Sequence, residues 1–167
     1  MNFRKTTEKD LDSVIKIIDE AKEFLKINNI DQWQNGYPNK EVILRDIEND
    51  HSYVLDDNGE IIATTVLSFD GDKNYDVIYN GDWITDNKYG VIHRIAVSRD
   101  YANRGIGKKI IESSEDIAKE NNIKSMRADT HKDNKTMQSL LLKNGYEYCG
   151  IIFVEDGTER LAFEKEL

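Results

Sequence analysis

The sequence has very few of the residues that fix a chain covalently or conformationally. Its 167 residues include one cysteine, Cys149, and one proline, Pro38. A single cysteine excludes an internal disulfide, and its apolar neighbours predict a buried strand thiol and not a catalytic nucleophile. No apolar run approaches the roughly 20 residues that span a bilayer, and no signal peptide is recognisable at the start. We therefore expect a cytoplasmic protein without membrane association.

Positive charge is also in short supply. Lysine and arginine total 23 against 32 aspartates and glutamates, which gives a formal net charge of −9. The basic residues are scattered among acidic ones, so the chain offers no stripe that would attract a nucleic-acid backbone. We expect no nucleic-acid partner. The negative charge instead favours a cationic partner such as an amine.

The pattern of apolar residues divides the chain into alternating elements, without internal repeats, low-complexity tracts or linkers. Predicted strands are Asn2 to Thr6, Ser52 to Leu55, Ile61 to Phe69, Val91 to Val97, Lys124 to Thr130, Tyr146 to Val154 and Arg160 to Glu166. Predicted helices are one capped by Thr7 or Asp10, one from Val42 to near Asn49, one from Lys108 to Asn121 and one from Asn134 to Asn144. Residues 70–90 predict a loop or an irregular excursion. The order predicts an α/β fold in one domain, residues 1–167, with a mixed sheet covered on both faces.

The most informative stretch is Arg104-Gly105-Ile106-Gly107-Lys108-Lys109, directly after the fourth predicted strand. The two glycines let the backbone approach a ligand closely, and a helix is expected immediately behind them. The first amides of a helix have no intrahelical partner and lie at the positive end of its dipole. A pyrophosphate fits such a helix start, and the basic residues strengthen the prediction. A glycine turn without any ligand is the alternative.

Two better-known phosphate motifs do not fit this stretch. A P-loop needs serine or threonine where Lys109 stands and glycine where Ala102 stands. A dinucleotide fingerprint needs a third glycine where Ile110 stands. The sequence therefore favours neither a nucleoside triphosphatase nor a dinucleotide-binding enzyme.

The segment from Ala102 to Gly107 resembles the signature of the GNAT family of N-acetyltransferases, a strand followed by Arg/Gln-x-x-Gly-x-Gly/Ala and a helix. The order of elements also matches over nearly the whole chain. Ala102 departs from the family pattern, which has arginine or glutamine there. The resemblance implies a GNAT-like, mostly antiparallel mixed sheet with helices on both faces. It also implies acetyl transfer from acetyl-CoA to a primary amine, by direct attack in a ternary complex.

The same resemblance implies where the cosubstrate binds. Backbone groups of the fourth strand are expected to pair with the pantetheine arm like an added strand. Asn134 is expected to contact the cofactor, although its alternative role is only that of a helix cap. The expected cofactor-binding residues are Ile95, Ala96, Val97, Asn103, Arg104, Gly105, Ile106, Gly107, Lys108 and Asn134.

The catalytic groups are less well defined by the sequence. An ammonium must lose its proton before it attacks the thioester, and His93, two residues before Ile95 in the predicted strand, is the candidate base. A packing histidine is the alternative, as is a base at Asp129 and His131. Distant partners with ligand spacing are missing, so we expect no metal site.

The family often carries a tyrosine that protonates the departing thiolate, and Leu141 stands at that position here. Tyr146 and Tyr148 are the possible substitutes. Because this acid and the first Arg/Gln are both missing, a non-catalytic acyl-CoA-binding or regulatory module is the rival hypothesis.

The family places the acceptor pocket around the first two helices and the loop between them. Trp33, Tyr37 and Trp83 are the candidate substrate-binding residues, as an aromatic wall for a cationic amine. Their alternative role is to anchor loops to the core. The acceptor is expected to be a small molecule or a peptide amine, and the resemblance is compatible with a homodimer.

Overall fold

The computed structural model describes every residue from Met1 to Leu167 as seven strands and four α-helices. The strands are β1 (Asn2–Lys5), β2 (Ser52–Asp57), β3 (Glu60–Ser68), β4 (Gly90–Val97), β5 (Ser125–Thr130), β6 (Glu147–Phe153) and β7 (Glu159–Glu166). The helices are α1 (Leu11–Ile27), α2 (Lys40–Glu48), α3 (Ile106–Glu120) and α4 (Lys135–Lys143). Short 3-10 turns precede α1, lie after β3 and follow β4.

The strands form one sheet in the order β1-β2-β3-β4-β5-β7-β6. Neighbouring strands β1 and β2, β2 and β3, β5 and β7, and β6 and β7 run antiparallel, while β4 and β5 run parallel. The predicted mixed, mostly antiparallel α/β sheet is therefore confirmed. No helix combines the length and the apolar character that crossing a membrane requires.

Two compact units make up the chain. Unit 1 contains Met1–Leu67 and Arg94–Ser113, and unit 2 contains Ser68–His93 and Ser114–Leu167. The boundary runs through β4 and α3, so unit 1 holds β1 to β3 and the second half of β4. Unit 2 holds β5 to β7, α4 and the long connection before β4.

The core of unit 1 lies on both faces of its strands. Val54 and Leu55 are consecutive in β2 and fully buried, so their side chains point to opposite faces. Val54 packs with Val14 of α1 and Ile43 of α2, whereas Leu55 packs with Ile110 and other residues of α3. Helices thus cover both faces of unit 1, as predicted.

An Asn-Gly turn joins β2 and β3 into a hairpin. Asn58 and Gly59 both have positive φ, 56° and 93°, as a two-residue turn of mirror-image type requires. The strands extend right up to this turn, with Asp57 opposite Glu60. β2 is therefore longer than the sequence pattern indicated, because the polar residues before the turn still pair.

Unit 2 is distinguished by an irregular segment, residues 69–89, which connects β3 to β4. Its anchor is Glu164 of β7, a fully buried carboxylate that accepts hydrogen bonds from the Ile84 amide at 2.6 Å and the Thr85 hydroxyl at 2.9 Å. Arg127 of β5 lies 3.3 Å from the same carboxylate. The guanidinium of Arg127 also lies about 4 Å from the rings of Trp83 and Tyr89. The predicted irregular excursion is confirmed, and buried charges hold it in place.

Candidate functional site

The loop between β4 and α3 belongs to unit 1 and is built by its backbone. Asn103 and Gly105 have left-handed conformations, with φ of 61° and 75°. A left-handed residue followed by a helical one turns successive amides towards the same side and forms an anion-binding nest. Because Gly105 is the last left-handed residue, α3 begins at Ile106, two residues earlier than predicted.

The first turn of α3 is suited to a phosphate group. The Lys109 amide donates to the Gly105 carbonyl at 3.1 Å, so the amides of residues 106–108 precede the first acceptor that the helix can offer. No acidic residue lies in this turn. A Cβ added at Gly105 would meet no atom within 4 Å, which leaves room for a ligand. These donors and this space fit a pyrophosphate.

Exposed basic side chains surround the same helix start. The Arg104 guanidinium lies 5.2 Å from the centre of the Tyr101 ring, and the Tyr101 hydroxyl donates to Glu60 at 2.9 Å. Lys108 lies 3.6 Å from Glu112 one turn later. The ring contact gives Arg104 a preferred orientation, while Lys108 stays largely in solvent. Local positive charge is thus present in an acidic chain.

The second half of β4 leads into this loop. Ile95 and Val97 pack towards α3, and Ala96 between them is buried in the cluster formed with α1 and α2. Arg94, just before them, has φ of 53°, an uncommon conformation within a strand. In a regular strand, residues two apart such as His93 and Ile95 share a face, and this left-handed residue between them interrupts that alternation.

Arg94 itself is a polar residue that sequence analysis missed. Its side chain is mostly buried, forms an ion pair with Asp46 of α2 and donates to the Tyr37 hydroxyl at 2.6 Å. A small pocket of unit 1 lies beside this pair, with Pro38 and Ile43 among its apolar walls. Asp46 and Arg94 are its charged groups.

The three candidate substrate aromatics differ in their surroundings. Trp33, with φ of 62°, packs against the core cluster of α1 and α2. Trp83 donates from its indole nitrogen to the Tyr75 carbonyl at 2.9 Å. Both tryptophans therefore anchor their segments, which is the alternative that the sequence left open. Tyr37 is about half exposed, with its hydroxyl on Arg94.

His93 lies in unit 2, at the end of the β4 portion that belongs to it. Its Nε2 is 3.1 Å from Oδ2 of Asp72, and its ring centre is 6.2 Å from that of Tyr75. Burial raises the pKa of Asp72, but hydrogen bonds from His93 and the Asn74 amide outweigh it, so the pKa lies below its ordinary value. Asp72 is therefore a carboxylate at neutral pH, paired with the candidate base.

The alternative base residues are engaged with other groups. Asp129 accepts a 2.6 Å hydrogen bond from the hydroxyl of Tyr75, which is fully buried. Burial, followed by the charge of Asp129, raises the pKa of Tyr75 well above its ordinary value. His131 is buried, and its Nδ1 accepts from the Asp133 amide at 3.1 Å. The side chains of Asp129 and His131 thus help to fix local structure.

Asn134 directly precedes helix α4, one residue before the helix starts at Lys135. Oδ1 of Asn134 accepts from the Met137 amide at 3.1 Å, so Asn134 is the N-cap. Leu141, at the position of the family tyrosine, is fully buried. Burial, aided by the charge of Glu115, raises the pKa of Tyr146, which makes it a weaker acid than an ordinary tyrosine. Tyr148 is half exposed and packs edge-on against Phe163.

A strand that runs through a glycine loop into a basic helix start, within a mostly antiparallel α/β sheet, is the arrangement expected of an acyl-CoA-dependent acyltransferase. The family model described as "Acetyltransferase (GNAT) family" matches residues 16–146. The chain therefore belongs to the GNAT acetyltransferase family, whose cosubstrate is acetyl-CoA. The predicted family, enzyme class and cosubstrate are confirmed.

Individual relatives agree with this assignment. The crystal structure of a GNAT-family acetyltransferase from Streptococcus agalactiae 2603 is 32% identical, with a TM-score of 0.90 over 99% of this chain and 95% of that one. The Bacillus subtilis (strain 168) protein called uncharacterized N-acetyltransferase YesJ is 25% identical over 161 residues, 95% of this chain and 86% of that protein. The PaiA N-acetyltransferase of Thermoplasma acidophilum, solved in complex with coenzyme A, shares the fold at 19% identity, with a TM-score of 0.74 over 99% of this chain and 98% of that one.

Proposed function

We propose that the protein transfers the acetyl group of acetyl-CoA to a primary amine by direct attack in a ternary complex, with residues 1–167 acting as one acyltransferase domain. The acceptor is a small molecule or a peptide amine. The start of α3 is the observation that carries the proposal, because an open, glycine-built helix start offers a diphosphate both donors and space. The net charge of −9 favours the approach of a cationic acceptor.

In this proposal the backbone of unit 1 binds the cosubstrate. The amides of residues 106–108 hold the pyrophosphate, Asn103 and Gly105 shape the loop, and Arg104 and Lys108 add positive charge. The backbone of Ile95, Ala96 and Val97 pairs with the pantetheine arm as an added strand would. Ala102 removes the side chain that the family often uses here, but backbone amides still supply most donors.

His93 acts as the base in the proposed reaction. The acceptor arrives as an ammonium, whose proton His93 takes, either directly or through a water molecule. The amine nitrogen then attacks the carbonyl carbon of the thioester, a carbon–nitrogen bond forms, and the carbon–sulfur bond breaks. The electron pair of that bond leaves with the sulfur as a thiolate, and the nitrogen, which still carries one proton too many, loses that second proton to solvent to give the neutral amide.

No side chain is proposed to protonate the leaving sulfur. Leu141 has no acidic group, and the raised pKa of Tyr146 makes it a poor proton donor. A thiol ionises only slightly above neutral pH, so the thiolate is a tolerable leaving group without help. It then takes its proton from solvent.

The acceptor is proposed to bind beside the connection between α1 and α2. Tyr37 presents a half-exposed ring, and the neighbouring pocket carries the Asp46 carboxylate. Trp33 and Trp83 contribute by fixing the segments that carry them.

The decisive variant is Gly105→Glu, which places a carboxylate where the phosphates are proposed to bind. We expect the affinity for acetyl-CoA, measured by isothermal titration calorimetry, to fall at least about 30-fold, or about 2 kcal/mol. Gly157→Glu is the matched control, because Gly157 also has positive φ, 81°, and no atom within 4 Å of an added Cβ. Unchanged affinity in the Gly105 variant would overturn the proposed binding mode.

A panel of amines tests the reaction itself. Release of coenzyme A that depends on both acetyl-CoA and an amine supports the proposal. Tight binding of acetyl-CoA without turnover of small amines, polyamines or peptides would instead support a non-catalytic acyl-CoA-binding module.

A further inference from the structure

We propose that Asp72 is a positioning residue for acetyl transfer, which holds the ring of His93 in the tautomer that keeps the proton on Nε2 and the basic lone pair on Nδ1. The inference deepens the proposed function and rests on it. It assigns a purpose to the irregular segment of residues 69–89, which nothing in the sequence connected to His93.

His93 and Asp72 form a close side-chain pair. Nε2 of His93 and Oδ2 of Asp72 are 3.1 Å apart, which is a hydrogen-bond distance between a ring N–H and a carboxylate. A carboxylate only accepts, so Nε2 must carry the hydrogen when the ring is neutral. The lone pair then resides on Nδ1, which becomes the atom that receives the amine proton.

Asp72 is itself held in place by hydrogen bonds. Its Oδ1 accepts from the Asn74 amide at 2.8 Å, and its own amide donates to the Tyr89 hydroxyl at 3.2 Å. Its side chain is 17% exposed, so its motion is restricted by its surroundings. A carboxylate fixed at both its oxygen and its backbone can impose an orientation on a neighbouring ring.

The segment that carries Asp72 is packed against the strands of unit 2. Tyr75, one turn further on, is fully buried, and its hydroxyl donates to Asp129 of β5. Its carbonyl accepts from Trp83, whose ring lies 5.2 Å away. Asp72 therefore belongs to a packed structure and not to a mobile loop.

The Asp72 carboxylate and the Tyr75 ring are the groups of unit 2 next to the His93 ring. Asp129 and Tyr89 lie one contact further away, on the Tyr75 hydroxyl and on the Asp72 amide. The Tyr75 phenol is neutral at neutral pH because burial raises its pKa, and Asp72 is ionised because its pKa is lowered. An adjacent carboxylate stabilises the imidazolium that forms when the ring accepts a proton.

The test compares Asp72→Asn with Asp76→Asn. Asp76 is exposed and ends the same 3-10 turn, so its variant controls for the loss of one negative charge from the segment. We expect Asp72→Asn to lower kcat at least about ten-fold and to leave the KM for acetyl-CoA unchanged. Asp76→Asn should behave as the wild type in both quantities.

Nitrogen-15 NMR of the histidine rings supplies a readout that does not depend on turnover. In the wild type, the neutral His93 ring should carry its proton on Nε2. In Asp72→Asn the amide can turn its NH₂ group towards the ring, so the Nδ1–H tautomer should become populated. An Nδ1–H tautomer in the wild type would overturn the inference even if the variant failed to fold.

The outcomes separate this inference from the proposed function. Acetylation of an amine with an unchanged kcat in Asp72→Asn would overturn the positioning role and leave the function standing. Failure of the wild type to acetylate any amine would overturn the function and, with it, the role of Asp72 in transfer.

Discussion

Two helix starts that the sequence marks as cofactor-binding, those of α3 and α4, are built in opposite ways. At α3 the residue before the helix is Gly105, exposed and left-handed, with basic side chains nearby. At α4 it is Asn134, buried, with its side-chain oxygen on the Met137 amide. A glycine start leaves its amides to a ligand, whereas a capped start supplies one acceptor from the protein itself.

The start of α1 is built in a third way. There Asp10 closes the 3-10 turn that leads into α1 and accepts from the Thr7 amide at 2.8 Å. It also accepts two hydrogen bonds from the Arg4 guanidinium, at 2.8 Å and 3.0 Å. Charged side chains thus stabilise the start of α1, one neutral cap stabilises that of α4, and no side chain caps that of α3. Substitutions should lower the stability of the protein most at α1 and least at α3.

The largest effect on stability is expected at Asp10. The hydrogen bonds from Arg4 outweigh burial and lower the pKa of Asp10 from 3.8 to about 2. A carboxyl group whose pKa is lower in the folded state than in the unfolded state stabilises the fold at pH values above its unfolded pKa. This stabilisation is lost as the pH falls towards the folded pKa. Asp10→Asn should therefore cost about 2 kcal/mol at pH 7. The free energy of unfolding, measured with urea, should fall between pH 6 and pH 3 in both proteins. The fall should be about 1 kcal/mol larger for the wild type than for Asp10→Asn. Equal losses would contradict the assignment.

An intermediate effect is expected at Asn134. Asn134→Ala should lower the free energy of unfolding by about 1 kcal/mol, because the Met137 amide loses its cap. Asn134→Ser keeps a capping oxygen and should restore that stability. Serine lacks the amide N–H groups, however, so we expect acetyl-CoA to bind a few-fold more weakly. If Asn134→Ser binds acetyl-CoA as tightly as the wild type, Asn134 is only a helix cap, and α3 is then the helix start that binds the cosubstrate.

The smallest effect is expected at Arg104, because the backbone at the start of α3, and not this side chain, is proposed to bind the pyrophosphate. Its side chain is exposed and contacts the Tyr101 ring, so Arg104→Ala should change the free energy of unfolding by no more than about 0.5 kcal/mol. Affinity for acetyl-CoA should fall at most about five-fold, or about 1 kcal/mol. This affinity can be measured by calorimetry. A loss of affinity as large as that of Gly105→Glu would mean that side-chain charge, and not the glycine backbone, holds the phosphates.

The α3 loop could be predicted from sequence because its geometry is encoded over a few consecutive residues. Glycine at position 105 permits the left-handed conformation, and the apolar periodicity of α3 begins directly after it. The α4 start is local in the same sense, since Asn134 caps an amide three residues away. The predicted element order and fold class were confirmed for the same reason, with element ends shifted by one or two residues.

The environment of His93 could not be predicted, because it depends on a segment without periodicity. Asp72 lies 21 residues earlier in the chain, and Tyr75 meets Asp129 across 54 residues. The positive φ of Arg94 has no signal in a β-branched strand pattern either. Side-chain networks that join irregular segments to distant strands leave no fixed spacing in a sequence, so they become visible only in the structure.

The lone cysteine has a practical consequence for enzyme assays. Cys149 is buried in β6, and burial raises the pKa of its thiol to about 11. At pH 8 only roughly one such thiol in a thousand is ionised, and the thiolate is the form that attacks disulfide reagents. A disulfide dye will therefore report the thiol of released coenzyme A almost without background from the enzyme, and turnover can be followed continuously with unmodified protein.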